Sequence, residues 1–219
     1  MTSKKKTSKK QTTFWRWAVI ALVVAGVACT LPYIRDWRMS SADHIEQGLL
    51  AYKQGDLKKA EHHLIMAADK RDAQASFILG SIFLEKKPRE VYAPQAAQYF
   101  AESAQQGFVD AQYTLALLYD QGLGVPEDKH QALHWGLLAA AQGHVSAIYA
   151  SAVWLERGYN QTPEPTIALT FYEQAAAKGH PNAMRSLISI YSNGENGIPR
   201  NKERAEFWIQ KLHQIEQTQ

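Results

Sequence analysis

Large apolar residues recur three and four positions apart over much of the chain after residue 41, as in Leu115, Leu118 and Tyr119. This spacing places them on one face of an α-helix, whereas a half-buried strand would alternate apolar and polar residues. The helical stretches end near Gly or Pro, most clearly in the segment QGLGVPED at 121–128. The pattern therefore predicts helices joined by short turns and requires no strand.

The helical stretches repeat with a period of 36 residues, and each period is long enough for two helices. The recurring positions are Ala75, Ala111, Ala147 and Ala183; Tyr99, Trp135, Phe171 and Phe207; Ala104, Ala140, Ala176 and Leu212; and Gly107, Gly143 and Gly179. A fixed period of this length is typical of stacked helix pairs. We therefore predict an all-α fold of about five antiparallel helix pairs over 41–219, in which the small positions allow close backbone approach.

A different pattern precedes the repeats, because residues 17–34 are 18 positions without a charge. A helix of that length reaches roughly 27 Å, which is enough to cross the apolar part of a bilayer with help from flanking aromatic residues. Six bases precede it, whereas Arg35 and Arg38 follow it. The positive-inside rule then predicts a basic cytoplasmic tail at 1–16, a transmembrane helix at 17–34, a linker at 35–40 and exported repeats.

A cleaved signal peptide is the alternative interpretation of the same segment. Gly26-Val27-Ala28 resembles a small-x-small cleavage site that follows a basic and then an apolar stretch. A lipid anchor on Cys29 is less favoured, since Gly26 occupies the position where such proteins normally have leucine. Both main alternatives place the repeats outside the cytoplasm.

Charge and cysteine content exclude several classes of partner and site. The first 16 residues hold six of the 24 bases and no acid, which leaves 18 bases and 21 acids in the rest. Nucleic-acid binding is not expected, since it would need a basic face on the folded part. Cys29 is the single cysteine, so neither an intramolecular disulfide nor a thiolate zinc cluster can form.

No residue pattern indicates catalysis, and we expect no enzyme activity, no cofactor and no metal site. His144 and His180 each follow a repeat-closing glycine, which favours a structural role in the turn. His63 falls at a position held elsewhere by aromatic residues, which indicates packing. His130 and His134 are four residues apart and could share a helical face, but no third ligand accompanies them.

One segment resembles a known repeat. The stretch AQYTLALLYDQGLGVPEDKHQALHWGLLAAAQGH is similar to a nearly complete SEL-one-like repeat, a relative of the tetratricopeptide repeat, and its neighbours are similar in part. Gly48, Gly55, Ala60 and Leu64 are spaced like an ordinary 34-residue tetratricopeptide unit. Departures are the loops EKKPREVYAP and RGYNQTPEP and the serine at 151. The resemblance implies that the helix pairs form a right-handed α-solenoid that acts as a scaffold or adaptor, often in envelope complexes, and it favours a bacterial source.

The tetratricopeptide register also predicts a partner-binding groove along the first helix of each pair. Its predicted residues are Ile45, Leu49, Tyr52, Phe77, Leu84, Tyr113, Leu117, Asp120, Tyr149, Val153, Glu156 and Arg185. Apolar anchors and a Lys or Arg near the two acids would suit this surface. Packing of the two tyrosines between repeats is an equally weighted alternative.

These observations lead to one functional expectation and one alternative. We expect a scaffold anchored in the bacterial inner membrane through 17–34, whose periplasmic repeats bind a protein or peptide partner. The alternative is a cleaved, secreted periplasmic regulatory protein that contacts peptidoglycan or another envelope polysaccharide. The sequence indicates neither the partner nor the oligomeric state.

Overall fold

The computed structural model describes residues 36, 38–195 and 197–217, and this part of the chain contains ten α-helices and no strand. The helices are α1 (Ser41–Lys53), α2 (Leu57–Ala68), α3 (Ala73–Glu85), α4 (Arg89–Gln105), α5 (Val109–Gln121), α6 (Lys129–Ala141), α7 (Val145–Glu156), α8 (Pro165–Ala177), α9 (Pro181–Asn193) and α10 (Lys202–Glu216). The predicted all-helical fold is confirmed for these residues. The predicted tail at 1–16 and span at 17–34 lie outside them.

The chain divides into two compact units, one that ends at Lys70 and one that begins at Arg71. In the first unit, α1 packs on α2. In the second, α3 packs on α4, α5 on α6, α7 on α8 and α9 on α10, and each pair packs on the next. The second unit is therefore a stack of four helix pairs, as the period predicts. No helix of the described residues combines the length and the apolarity that a membrane crossing needs.

Capping residues and glycines fix where the helices begin and end. Asp72, Asp128 and Asn201 each accept a hydrogen bond from the amide three residues further on, at 3.0–3.1 Å. Such N-caps satisfy amides that have no partner within the helix. The predicted repeat-closing glycines have φ of +87° to +88°, a conformation that costs glycine little. The turns are thus encoded locally.

Small residues bring the paired helices close together. Ala116 and Ala152 are fully buried, and Ala104 and Ala176 are 1% exposed. A Cβ added at Gly80 would lie 2.9 Å from the ring of Phe100. The predicted small positions therefore have the packing role expected of them.

At one junction between helix pairs, the second helix carries glycine where the other repeats have a large residue. Gly136 in α6 occupies the position held by Phe100 in α4 and Tyr172 in α8. The space is filled from α7 by Trp154, since a Cβ at position 136 would lie only 2.4 Å from its Cζ3 atom. Trp154 is 3% exposed and stacks on Tyr159 at 5.9 Å between ring centroids. The space beside position 136 is therefore filled by a large side chain from α7 instead of one from α6.

The predicted alignment of the last repeat is wrong by one residue in its second helix. The N-caps Asp128 and Glu164 are 36 residues apart, whereas the next N-cap, Asn201, follows after 37. An extra residue between α9 and α10 causes this shift. Trp208 consequently takes the aromatic position of Trp135 and Phe171, while the ring predicted there, Phe207, is 48% exposed.

The loop of the first full repeat is shorter than its sequence suggested. Of the segment EKKPREVYAP, only 86–88 lies between helices, because α4 begins at Arg89 and contains Pro94. The backbone of α4 is closely approached by the loop after α5. A Cβ at Gly124 would lie 2.2 Å from the carbonyl oxygen of Ala93, and φ there is +76°. Glycine is required at this position for both reasons.

Candidate interaction surface

Four residues of the predicted groove, which we call the first row, each contact a residue 31 positions further along the chain: Phe77, Tyr113, Tyr149 and Arg185. The ring centroid of Phe77 lies 5.1 Å from that of Phe108, Tyr113 lies 4.5 Å from His144, and Tyr149 lies 4.6 Å from His180. Arg185 continues the row with an ion pair to Glu216 at 2.9 Å. The three ring contacts therefore join successive helix pairs, whereas Arg185 and Glu216 join α9 to α10 within one pair. The ring contacts agree with the packing alternative for the two tyrosines.

Two of the partners in this row are also N-caps. His144 accepts a hydrogen bond at Nδ1 from the amide of Ala147 at 3.1 Å, and His180 accepts one from the amide of Ala183 at 3.3 Å. An Nδ1 that accepts is unprotonated, so this geometry fits the neutral imidazole. Burial lowers the pKa of His180, in agreement with that geometry. The predicted structural role of both histidines is borne out by these contacts.

The two acids predicted to meet a basic partner already accept hydrogen bonds from tyrosines. Asp120 accepts from the hydroxyl of Tyr159 at 2.7 Å, and Glu156 accepts from that of Tyr172 at 2.6 Å. Burial, followed by the bond to the carboxylate, raises the pKa of both tyrosines. The expectation of open carboxylates is corrected, because each acid satisfies a hydroxyl of a tyrosine that is at most 9% exposed.

A second row of the predicted groove consists of Leu84, Asp120 and Glu156, and the positions between the two rows remain accessible. Leu117 and Val153 are half-buried, as is Ser81, and Ser189 is exposed. The hydroxyl of Ser81 donates to the carbonyl oxygen of Phe77 at 3.0 Å, and that of Ser189 donates to Glu195 at 2.9 Å. We call the surface formed by Ser81, Leu117, Val153 and Ser189 the first-helix face. It is neutral and made of small or aliphatic side chains. Leu84 in the second row is half-buried as well.

The first unit supplies less surface than the groove prediction requires. Ile45 is 8% exposed and belongs to the core, so its assignment to the groove is wrong. Leu49 and Tyr52 are half-buried. Ile45 is buried because it lies on the same face of α1 as His44 and Gly48, which are buried too.

The first unit also contains a buried histidine pair. The Nδ1 atoms of His44 and His63 are 3.1 Å apart, and Nε2 of His44 lies 2.7 Å from the carbonyl oxygen of Asp36. If both rings are neutral, His44 donates through Nε2 and accepts at Nδ1 from His63. Burial lowers the pKa of His63. The predicted packing role of His63 is thus accompanied by a polar contact.

The described residues include no group of three or more His, Cys, Asp or Glu side chains arranged to hold a metal ion. His130 and His134 are both exposed on α6. The residues that sequence reasoning missed are the partners of the first row, above all Phe108 and Glu216. Phe108, His144 and His180 share the 36-residue period as N-caps of α5, α7 and α9, and that period was the signal available for finding them.

Comparison with known proteins supports the repeat assignment. The model of the Sel1 repeat matches residues 37–72, 109–144, 145–180 and 183–212. The first match covers the segment predicted as an ordinary tetratricopeptide unit, so that segment is a Sel1 repeat as well. Residues 73–108, with the short loop and long α4, are outside the matches.

Several solved structures are similar to the chain, and two of them are described here. One is c5321, a protective antigen of uropathogenic Escherichia coli with an SLR fold, at 26% identity and a TM-score of 0.72, over 80% of this chain and 38% of that one. The other is a Sel1 repeat protein from Oxalobacter formigenes, at 30% identity and a TM-score of 0.69, over 82% of this chain and 53% of that one. The chain thus spans about two fifths of the length of the first protein and about half of the length of the second.

None of the curated proteins compared with the sequence is similar to it. The matched repeats nevertheless cover more than half of the chain. Repeats of this kind commonly mediate contacts between proteins, and proteins built from them are generally not enzymes. The chain belongs to the Sel1 repeat family.

Proposed function

We propose that this protein is a scaffold that binds a protein partner on its first-helix face. The partner would supply an extended or helical segment with apolar side chains. The observation that carries the proposal is the accessibility of Leu117 and Val153, two aliphatic side chains 36 residues apart on α5 and α7. Half-buried apolar side chains that recur along a stack can receive anchors at the same spacing.

The contacts of the second unit favour an apolar segment over a basic one. Asp120 and Glu156 are engaged by tyrosine hydroxyls. Tyr113 and Tyr149 are held against histidines. The face between these rows is neutral, so shape and apolar contact would determine its affinity.

Site-specific crosslinking in the full chain tests this proposal. A photoreactive phenylalanine analogue at Leu117 or Val153 should capture a partner of one defined mass in the native envelope. The matched control is the same analogue at Leu138, which is 38% exposed on the second helix α6. Equal capture from all three positions, or capture from Leu138 alone, would exclude the first-helix face.

We propose in addition that residues 17–34 anchor the protein in a bacterial inner membrane, with the repeats in the periplasm and no catalytic activity of their own. The support is the uncharged stretch and the basic residues before it. A reporter active only outside the cytoplasm, fused after Gln219, should be active, and the protein should resist extraction from membranes by high salt. Activity of a cytoplasm-only reporter at the same place would contradict the topology.

The secreted, polysaccharide-binding alternative depends on open aromatic side chains. The ring contacts of Tyr113 and Tyr149 with histidines reduce the ring surface available for a sugar. Retention of the protein on purified cell wall, together with release of a shortened soluble form that starts near Cys29, would favour this alternative. Recovery of a stoichiometric protein partner with the intact form would favour the scaffold.

A further inference from the structure

A cleft of about 470 Å³ lies between the second helices α8 and α10, away from the first-helix face. Its lining consists of Glu173, Ala177, Glu203, Arg204, Phe207 and Trp208. Phe207 is 48% exposed, which is high for a large aromatic side chain. The lining therefore combines accessible ring surface with two carboxylates and one guanidinium group.

One carboxylate of the cleft is neutralised within the protein. Glu173 accepts a hydrogen bond from the hydroxyl of Tyr191 at 2.6 Å and another from Arg204 at 2.6 Å. The guanidinium carbon of Arg204 also lies 5.2 Å from the ring centroid of Tyr191. Arg204 is thus held in place by its neighbours on one wall of the cleft.

The other carboxylate is not engaged. Glu203 forms no hydrogen bond or ion pair with any residue in the described part of the chain. The neighbouring acid on α10, Glu206, is by contrast paired with Lys202 at 3.6 Å. Among the lining residues, one negative charge therefore remains after internal pairing, on Glu203.

The preceding repeat lacks this chemistry. With the extra residue before α10 taken into account, the corresponding positions are Leu137, Ala141, Thr166, Ile167, Thr170 and Phe171. None of them is charged. The acids and the arginine are therefore particular to the α8–α10 cleft and are not required by the packing of a repeat.

We propose that the α8–α10 cleft is a second docking site, which receives a Lys or Arg side chain from a segment of a protein partner. The cationic head would pair with Glu203, and its aliphatic stem would lie along Phe207 and Trp208. Aromatic faces attract cations, and long basic side chains cover apolar surface with their stems. The Nζ atom of Lys211 on α10 lies 5.8 Å from the ring centroid of Phe207, so this ring accepts a cation and the partner's side chain would compete with Lys211 for it.

The test uses the full chain in detergent micelles with a fluorinated tag on a cysteine introduced by Gln174→Cys, in a Cys29→Ser background. Gln174 is exposed on α8 and lies next to the lining residue Glu173. Two capped hexapeptides serve as probes, one with a central lysine flanked by leucines and one with norleucine in place of that lysine. From a cation–aromatic contact and an exposed ion pair, we expect the lysine peptide to bind about 3- to 30-fold more tightly.

Three variants distinguish this proposal from non-specific binding of the peptides. Glu203→Gln should remove most of the preference for lysine, whereas the matched change Glu206→Gln on the same helix should leave it intact. Arg204→Met should strengthen the preference, because it leaves Glu173 without its cationic partner. Equal affinity for the two peptides, or a preference that survives Glu203→Gln, would overturn the proposal. Neither result depends on the outcome at Leu117 and Val153.

Discussion

The phenol ring of Tyr149 lies nearly parallel to the imidazole of His180, with the ring centroids 4.6 Å apart and the planes inclined by 22°. His180 meanwhile caps α9 through Nδ1. One histidine therefore joins two repeats and begins a helix. Tyr113 and His144 make the corresponding contact 36 residues earlier, with the centroids 4.5 Å apart and the planes inclined by 36°.

His180 should make stability depend on pH. Burial lowers its pKa below the ordinary 6.5, so the unfolded chain binds more protons between those two values. Its contribution is complete above about pH 6.5 and is lost as the pH falls through the folded-state pKa. Protonation would also remove the Nδ1 acceptor and place positive charge at a helix N-terminus. Urea unfolding at pH 7.5 and pH 5 measures the effect.

The variant His180→Asn keeps a capping side chain but cannot titrate in this range. It should lose less stability between pH 7.5 and pH 5 than the parent protein does. His130→Asn is the control, since His130 is exposed on α6. An identical pH dependence for the parent and His180→Asn would contradict the assigned role.

Tyr149 should contribute to stability more than to partner binding. Tyr149→Ala removes the contacts with both His180 and Tyr172, and we expect a loss of about 1–3 kcal/mol, below that of a fully buried ring. Ser189→Ala, on the exposed part of the first-helix face, should change stability by less than about 0.5 kcal/mol. Denaturant titration of both variants decides the point. An unchanged midpoint for Tyr149→Ala would return this residue to the candidate binding surface.

Two fully buried serines should respond oppositely to removal of the hydroxyl group. Ser103 donates to the carbonyl oxygen of Ala73 at 2.6 Å, whereas the hydroxyl of Ser151 has no hydrogen-bond partner in the described part of the chain. Ser103→Ala should cost about 0.5–1.5 kcal/mol, and Ser151→Ala should be neutral or stabilising. Unfolding free energies of the two variants provide the comparison. A substantial loss on Ser151→Ala would show that its hydroxyl is satisfied in solution.

Gly136 and Trp154 should be energetically coupled. Gly136→Ala places a methyl group 2.4 Å from the Trp154 ring and should cost about 1–3 kcal/mol. In a Trp154→Leu background the same change should cost less, because the clash is gone and alanine favours the helix over glycine. A double-mutant cycle measures the difference. Additive effects would indicate that the ring moves aside without penalty.

The repeat period predicted the helices well because buried residues recur every 36 positions, which fixes the buried face of each helix by comparison with the others. It also predicted the buried alanines and the glycine turns. It failed in the last repeat, where one inserted residue before α10 changes the register. The N-cap of α10 is therefore Asn201, one residue later than the period predicts. The sequence does carry a sign of this insertion, because Gly197-Ile198-Pro199 follows Gly124-Val125-Pro126 after 73 residues, one more than two periods.

The groove residues were harder to predict because the sequence shows a side chain but not its partner. Asp120 and Glu156 have the composition of an acidic binding site, yet their carboxylates accept from tyrosines 39 and 16 residues further along the chain. Ile45 fits an apolar groove as well as it fits a core. Only the packing of neighbouring helices distinguishes these possibilities.

The exchange between Gly136 and Trp154 bears on how such a protein can be shortened, duplicated or recombined. These residues belong to different copies of the 36-residue period, yet each makes the other tolerable. A chimera joined at Gly143, between α6 and α7, would separate them. It would leave a cavity where Trp154 is lost, or a steric clash where Gly136 is replaced by a larger residue. A chimera of this protein should consequently take α6 and α7 from the same parent, because the contact between these two helices works only as a unit.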